Sequence, residues 1–328
     1  MERNLFFVDS GKSVFSSYDH CTLCPRNCGA KRSAGKVGFC GMESELRLSR
    51  VGLHMWEEPC LSGDKGSGTI FFTGCSLGCI FCQNHDISRR SGTGTSVPIF
   101  RRSGETPSVP YSRPGKVYSL EAFSDAMLDL QAQGAHNINF VTGCHYVPHI
   151  IEGVRLARNK GLSIPTLYNC GGYESVETIR ALSGTIDIYL PDMKFFSPEI
   201  SMKYAGAKDY FFRAKDALAE MVRQAPDQIF DEDGIMQKGV IIRHLMLPGL
   251  LFDTKHILDY LCETYGNRIT ISLMNQYTPM PGVPEELQSP LSAKHYDSMI
   301  NYLTILGQEN AFTQEGGTVS ESFIPDFE

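Results

Sequence analysis

The sequence has no long hydrophobic run and no excess of basic charge. None of its apolar windows approaches the roughly 18 consecutive residues that a membrane-spanning helix needs, so no membrane partner is expected. Its 30 Lys and Arg residues are outnumbered by 37 Asp and Glu residues, which gives a net charge of -7. The chain as a whole therefore lacks the electrostatic footprint of a nucleic-acid-binding protein, and only a local basic patch keeps that class open.

Proline is also scarce, with 17 among 328 residues, while 42% of the residues are hydrophobic and 20% are charged. This composition excludes a collagen-like, coiled-coil or disordered protein. The first residues, MERNLFFVDSGKS, lack the basic region and apolar stretch of a signal peptide. We therefore expect a globular, cytoplasmic protein of two domains or of one α/β barrel with an extension.

Cysteine, by contrast, is abundant, and seven of the 11 cysteines fall in two tight clusters. Closely spaced thiols in a reducing compartment bind metal more often than they form disulfides. The first cluster is Cys21, Cys24, Cys28 and Cys40. Its glycines and its lack of an apolar period predict loops wrapped around a centre. Four thiolates complete either a zinc site or a [4Fe-4S] cluster, and both remain open here.

The second cluster has the spacing C-x3-C-x2-C and consists of Cys75, Cys79 and Cys82. It directly follows residues 68–74, a β-branched and aromatic run that predicts a buried strand. Three thiolates hold a four-iron cluster and leave one iron open to an external ligand, which makes it a site for chemistry.

Strand and helix signals alternate through the remainder of the chain. The predicted strands are 136–142, 163–170, 185–191, 239–247 and 268–276, and the predicted helices are 119–134, 147–159, 173–183, 210–224, 253–265 and 292–307. With the strand at 68–74 they make six βα units, which predict an α/β fold, a partial (β/α)6 TIM-like barrel with its chemistry at the carboxyl ends of the strands.

We divide the chain into an N-terminal Cys-rich metal-binding segment, 1–66, and a barrel domain, 67–328. Residues 88–116 interrupt the barrel with a basic stretch rich in Ser, Thr, Gly and Pro. We expect a flexible insert there, with a basic lid over the barrel mouth as the functional alternative.

Charged residues at strand ends mark a candidate site. Asp192 and Lys194 lie two apart, so both point to one side, into the barrel mouth, unless they form a solvated surface pair. Arg243 stands within an apolar strand and needs an anionic partner if it is buried. Glu57 and Glu58 precede the barrel and either border the site or belong to an exposed loop.

The run Cys75-x3-Cys79-x-Phe81-Cys82 after the first barrel strand resembles the signature of the radical S-adenosylmethionine (SAM) enzymes. The resemblance implies that a [4Fe-4S] cluster on these cysteines binds SAM and reductively cleaves it. The resulting 5′-deoxyadenosyl radical abstracts hydrogen from a substrate.

The resemblance narrows to PflX-like proteins related to pyruvate formate-lyase activating enzyme, through segments such as CPRNCG, GSGTIFFTGC, YLPDMKF and RHLMLPG. It implies catalytic roles for Asp192 and Lys194, and a carboxylate of SAM as the partner of Arg243. Position in the chain and the resemblance together suggest a set of cofactor-binding residues, namely Gln83, Asn84, Thr142, Gly143, Asn169, Asp192, Arg243 and Asn275. The acidic Gly-Gly-Glu motif of many such enzymes is replaced here by Thr142-Gly143-Cys144.

These features predict a radical SAM oxidoreductase that works with a flavodoxin- or ferredoxin-like reductant. A glycyl radical enzyme is the partner that the resemblance implies, and the alternative within enzymes is modification of a small molecule, peptide or RNA. An iron-sulfur or zinc scaffold or electron carrier is the non-enzymatic hypothesis. A bare carrier would not need the charged residues at the strand ends.

Overall fold

The computed structural model describes residues 14–88, 114–280 and 282–314. Within them the strands are β1 Arg47–His54, β2 Ser67–Phe72, β3 Lys116–Val117, β4 Ile138–Val141, β5 Thr166–Cys170, β6 Ile188–Pro191, β7 Ile229–Phe230, β8 Met236–Leu245, β9 Thr270–Met274 and β10 Ala311–Thr313. The helices are α1 Pro59–Ser62, α2 His85–Ser88, α3 Leu120–Ala132, α4 Val147–Asn159, α5 Val176–Ala181, α6 Pro198–Ala205, α7 Tyr210–Gln224, α8 Leu251–Tyr265 and α9 Ala293–Ile305.

The strands form one mostly parallel sheet in the order β10-β9-β8-β6-β5-β4-β2-β1-β3. All six predicted barrel strands are present, and each pairs in parallel with the next one along the chain, from β2 to β9. In the described part of the chain, β10 and β3 are edges, so the barrel is open. The predicted α/β fold and partial barrel are confirmed.

The structure adds strands that the periodicity did not predict. β1 pairs antiparallel with β2, and β10 pairs in parallel with β9 at the other side of the sheet. β1 belongs to the segment that we assigned to the Cys-rich region, so that region and the barrel share one sheet. The division at residue 66 stays a prediction, and residues 89–113 of the predicted insert lie outside the described residues.

The first turns of α3 and α4 show two ways in which the chain deals with the free N–H groups at the start of a helix. The Ser119 hydroxyl accepts the N–H of Ala122 at 3.1 Å and caps α3 as predicted. Pro148 lies in the first turn of α4, where its missing N–H costs no hydrogen bond. Across the described residues, no helix is long and apolar enough to span a membrane.

The short helix α1 fills the amino end of the barrel. Cys60 and Leu61 are buried against apolar side chains that β5, β6 and β8 turn inward, including Leu167 and Ile188. Asn137 Nδ2 donates to the carbonyl oxygen of Leu61 at 2.8 Å and holds α1 in place. A ligand of the barrel interior must therefore approach from the carboxyl end or from the open side.

Candidate active site

Charged side chains from neighbouring strands meet inside the barrel near its carboxyl end. Arg243, on β8, donates from Nε to Asp192 Oδ1 at 3.0 Å and from Nη2 to Asn169 Oδ1 at 2.5 Å. Lys194 Nζ donates to Asp192 Oδ2 at 2.5 Å. The side chains of Asp192 and Lys194 are only 14% and 19% exposed, so this pair is not the solvated surface pair that we kept as the alternative.

Neighbouring charges decide which of these groups are ionised. Burial raises the pKa of Asp192, but Lys194 and Arg243 outweigh it, and that pKa lies below its ordinary value. Burial lowers the pKa of Lys194, yet Asp192 and Cys79 raise it above its ordinary value. The carboxylate and the ammonium group therefore both stay charged at neutral pH.

Glu57 completes the network from the amino side of the barrel. Its Oε2 lies 3.3 Å from Arg243 Nη1, and its Oε1 accepts from Asn139 Nδ2 at 2.9 Å and from Asn169 Nδ2 at 3.4 Å. The side chain is 8% exposed, and burial raises its pKa despite the attraction of Arg243. Of the two interpretations of Glu57, the structure supports a residue inside the barrel.

Asn139 was missed by reasoning from motifs, although the sequence contains a signal for it. In the run NINFV, two asparagines alternate with apolar residues, and a period of two places Asn137 and Asn139 on one face of β4. That face lines the barrel, because Asn139 donates to Glu57 and Asn137 donates to the carbonyl oxygen of Leu61, both inside the barrel. Polar residues on the inward face of a barrel strand thus mark the interior network.

The loop that leaves β2 carries the three thiols of the second cluster. The N–H of Leu77 donates to Cys75 Sγ at 3.4 Å, and the N–H of Asn84 and the Ser88 side chain bond to Cys82 Sγ. Hydrogen-bond donors beside a sulfur stabilise its thiolate, the form that binds iron. This donor set fits the predicted cluster.

Cys79 links the thiol loop to the charged network. Burial raises the pKa of its thiol to about 12, while the positive charge of Lys194 lowers it. Phe81, the aromatic residue of the motif, packs its ring edge-on against Phe195 and Tyr277, with centroids 6.0 and 6.4 Å away. The thiol loop is therefore anchored in the core beside Asp192 and Lys194.

The turn after β5 packs against the backbone of Asp192. Gly172 has a φ of +78°, and a Cβ atom there would lie 2.1 Å from the carbonyl oxygen of Asp192. The hydroxyl of Tyr210 bridges the carbonyl oxygens of Gly171 and Asp192 at 2.8 and 2.9 Å and accepts the N–H of Lys194. The glycines thus serve a tight turn.

Replacing Gly172 by Ala should destabilise the protein more than replacing Gly184 by Ala. Both glycines have a left-handed backbone conformation, with φ of +78° and +75°. Alanine at either site therefore lowers the free energy of unfolding by about 1 to 2 kcal/mol. The methyl group added at Gly184 would have no atom within 4 Å, whereas that added at Gly172 would meet Asp192, which costs a further ~1–3 kcal/mol. Urea unfolding of both variants measures the difference. Equal losses would contradict the proposed packing of this turn.

Two further predicted residues, Thr142 and Gly143, directly follow β4. Thr142 adopts a left-handed φ of 62°, which is strained for a β-branched residue, and its N–H donates to the carbonyl oxygen of Asn169. Strained residues of this kind cluster at functional sites. Close packing explains the glycine at position 143, because a Cβ atom there would lie 2.6 Å from Ile150 and 3.0 Å from Phe72.

The other predicted cofactor residues lie on the loops around this group. Gln83 Nε2 donates to the carbonyl oxygen of Gln276, which ties the thiol loop to the segment after β9. The carbonyl oxygen of Asn84 accepts N–H groups of α2. Asn275 immediately follows β9, and its N–H donates to Gln314 Oε1 at 2.8 Å. Their roles toward a cofactor stay predictions.

The N-terminal thiols lie beside the same end of the barrel. Arg26, between Cys24 and Cys28, donates to the carbonyl oxygens of Ser76 at 2.9 Å and Gly206 at 2.6 Å. Ser76 belongs to the loop of the second cluster, so the two thiol-bearing segments are in direct contact. Within the described residues, no three His, Cys, Asp or Glu side chains converge as ligands of a single metal ion.

The fold is an open α/β barrel with a candidate iron-sulfur site, because three thiols lie on the loop after its first parallel strand. The model of the radical SAM superfamily matches residues 69–261, more than half of the chain. The protein belongs to the radical SAM superfamily, whose members use a [4Fe-4S] cluster and SAM.

The chain is also similar to individual known proteins. The chain is 29% identical over 273 residues to the uncharacterized protein MJ0674 of Methanocaldococcus jannaschii, covering 83% of this chain and 69% of that protein. It is similar to the structure of SuiB of Streptococcus suis bound to SAM, with a TM-score of 0.45, 12% identity and 74% of this chain covered. The match spans about half of SuiB, 49% of its length. For methylornithine synthase (PylB) the TM-score is 0.43, with 14% identity, 73% of this chain and 68% of that chain covered.

Proposed function

We propose that this protein is a radical SAM enzyme that abstracts a hydrogen atom from its substrate. The observation that carries the proposal is the position of the loop with Cys75, Cys79 and Cys82, which leaves β2 and is anchored through Phe81 on Phe195, next to the ion pair of Asp192 and Lys194. A cluster on Cys75, Cys79 and Cys82, when bound and reduced, supplies the electron that cleaves SAM to methionine and a 5′-deoxyadenosyl radical.

Arg243 is suited to bind the carboxylate of SAM. Its bonds to Asp192, Glu57 and Asn169 use three of the five N–H donors of a guanidinium, which leaves two for a ligand. The same bonds hold the guanidinium in one orientation, so little side-chain entropy is lost when an anion binds. Arg243 is thus a preorganised anion site beside the thiol loop.

Asp192 and Lys194 are suited to act together at the reacting centre. Each oxygen of Asp192 already accepts one hydrogen bond, from Arg243 or from Lys194, and can accept a second from an amino or hydroxyl group. The turn beside Gly172 and the hydroxyl of Tyr210 fix the backbone of this pair. Asp192 therefore orients donors of the cofactor or substrate, and Lys194 keeps the carboxylate ionised.

The substrate that we propose is a glycine in a partner protein, as expected for a PflX-like glycyl radical activase. Support comes from the resemblance of segments such as YLPDMKF and RHLMLPG to pyruvate formate-lyase activating enzyme. In this reaction one hydrogen atom moves from the glycine Cα to the nucleoside, giving 5′-deoxyadenosine and a glycyl radical.

Isotope transfer tests this proposal. A candidate partner protein with deuterium at its glycine Cα should give deuterated 5′-deoxyadenosine when it is incubated anaerobically with reduced enzyme and SAM. Cleavage of SAM without deuterium transfer would reject that substrate and retain the radical chemistry. An intact cluster that never cleaves SAM would reject the enzyme and favour an electron carrier.

A further inference from the structure

The four N-terminal thiols lie near one another. Cys21 and Cys28 are hydrogen-bonded to each other. A Cβ atom on Gly38 would lie 3.4 Å from the sulfurs of both Cys28 and Cys40, so these two sulfurs lie on the same side of this residue. Residues 21–40 thus bring side chains far apart in sequence to one place.

Backbone N–H groups are directed at these sulfurs. The N–H of Leu23 donates to Cys21, that of Arg26 donates to Cys24, and those of Ala30 and Phe39 donate to Cys28. Amide donors of this kind stabilise negative charge on sulfur, as they do in iron-sulfur sites, where they also tune the redox potential. The loops are therefore built for thiolates.

A buried arginine supplies the matching positive charge. Arg32 is fully buried, and its guanidinium bonds to the carbonyl oxygens of His145, Glu43 and Met42 and lies 3.7 Å from Cys21 Sγ. Its partners among the described residues include no carboxylate. A buried cation without a counter-charge is costly, and a thiolate at Cys21 is placed to provide one.

We propose that Cys21, Cys24, Cys28 and Cys40 bind a second [4Fe-4S] cluster whose buried counter-ion is Arg32. We favour iron over zinc because the protein belongs to a superfamily whose members carry a [4Fe-4S] cluster, so iron and sulfide are supplied to this chain in any case. Four thiolates complete such a cluster. This inference does not depend on the proposed function, because it concerns a separate set of ligands.

Metal analysis of a protein without the first cluster tests the site. The full chain carrying Cys75→Ala, Cys79→Ala and Cys82→Ala should bind about four irons after anaerobic reconstitution and show the electron paramagnetic resonance signal of one reduced cluster. Adding Cys21→Ala and Cys28→Ala should remove both iron and signal. About one zinc per chain, or no metal, would overturn the proposal.

The reduction potential of the second cluster tests the role of Arg32, in the protein that carries the three Cys→Ala substitutions in the first cluster. Reduction adds negative charge to a cluster, so losing a buried cation should lower its reduction potential. Arg32→Gln should therefore shift the potential to a more negative value, and Arg32→Lys, which keeps the charge, should shift it less. Arg155→Gln, at a side chain 56% exposed, is the control. If the Arg32→Gln protein does not fold, the Arg32→Lys protein still tests the proposal. It keeps the positive charge, so a loss of iron from it would overturn the counter-ion role of Arg32.

Discussion

The Cys79→Ala protein should cleave no SAM above the background of cluster-free protein. Cys79 is one of three thiols on the loop after β2, and two thiolates do not retain a site-differentiated four-iron cluster. The measurement is the yield of 5′-deoxyadenosine from anaerobically reconstituted, reduced protein. Because the loss removes the reaction itself, it is the largest effect that we expect from a single substitution.

Cys262 provides the matched control. It lies on α8, away from both thiol clusters, and burial raises the pKa of its thiol to about 11. Cys262→Ala should keep the iron content and cleave SAM at the wild-type rate. Wild-type cleavage by the Cys79→Ala protein would instead exclude the loop after β2 as the cluster site.

The Arg243→Gln protein should bind SAM at least about tenfold more weakly while keeping its iron. A hydrogen bond to a charged group is worth roughly 1.5 to 3 kcal/mol, which corresponds to about 10- to 150-fold in affinity. Arg243 belongs to no thiol loop, so its loss should not change cluster assembly. Equilibrium binding, with iron analysis of the same sample, measures both properties.

This variant should also lose stability, so a structural arginine is needed as its control. Arg158 bonds to Asp187 at 3.1 Å and to the carbonyl oxygen of Gly184, at the amino end of β6. Arg158→Gln should lower the melting temperature and leave SAM affinity unchanged. If Arg243→Gln behaves in the same way, Arg243 only neutralises Asp192 and Glu57, and the cofactor carboxylate is bound elsewhere.

The helices and parallel strands of the barrel could be predicted from the sequence, because the spacing of apolar residues within each segment indicates its type. α4 and α7 have the predicted bounds, since each shows a helical period and a recognisable start and stop. The six parallel strands are apolar runs between those helices, as expected for strands covered on both faces. Knowing the order of strands then placed Cys75, Thr142, Asp192, Arg243 and Asn275 at one end of the barrel.

Pairings between distant segments needed the tertiary structure. β1 and β10 are short or mixed in polarity, and only the edge of an existing sheet makes them strands. The bond between Arg243 and Glu57 joins residues far apart in the chain, so no local pattern could distinguish it from a bond to a ligand.

The sequence by itself determined the chemistry available to this protein, because cysteine spacing and strand periodicity are written in neighbouring residues. The tertiary structure decided how those groups are used. In the folded chain, Glu57 lies inside the barrel and bonds to Arg243. Arg32 is buried beside Cys21, and Arg26 connects the two thiol-bearing segments. Burial and long-range contact set the charge of a group, and both depend on the whole fold.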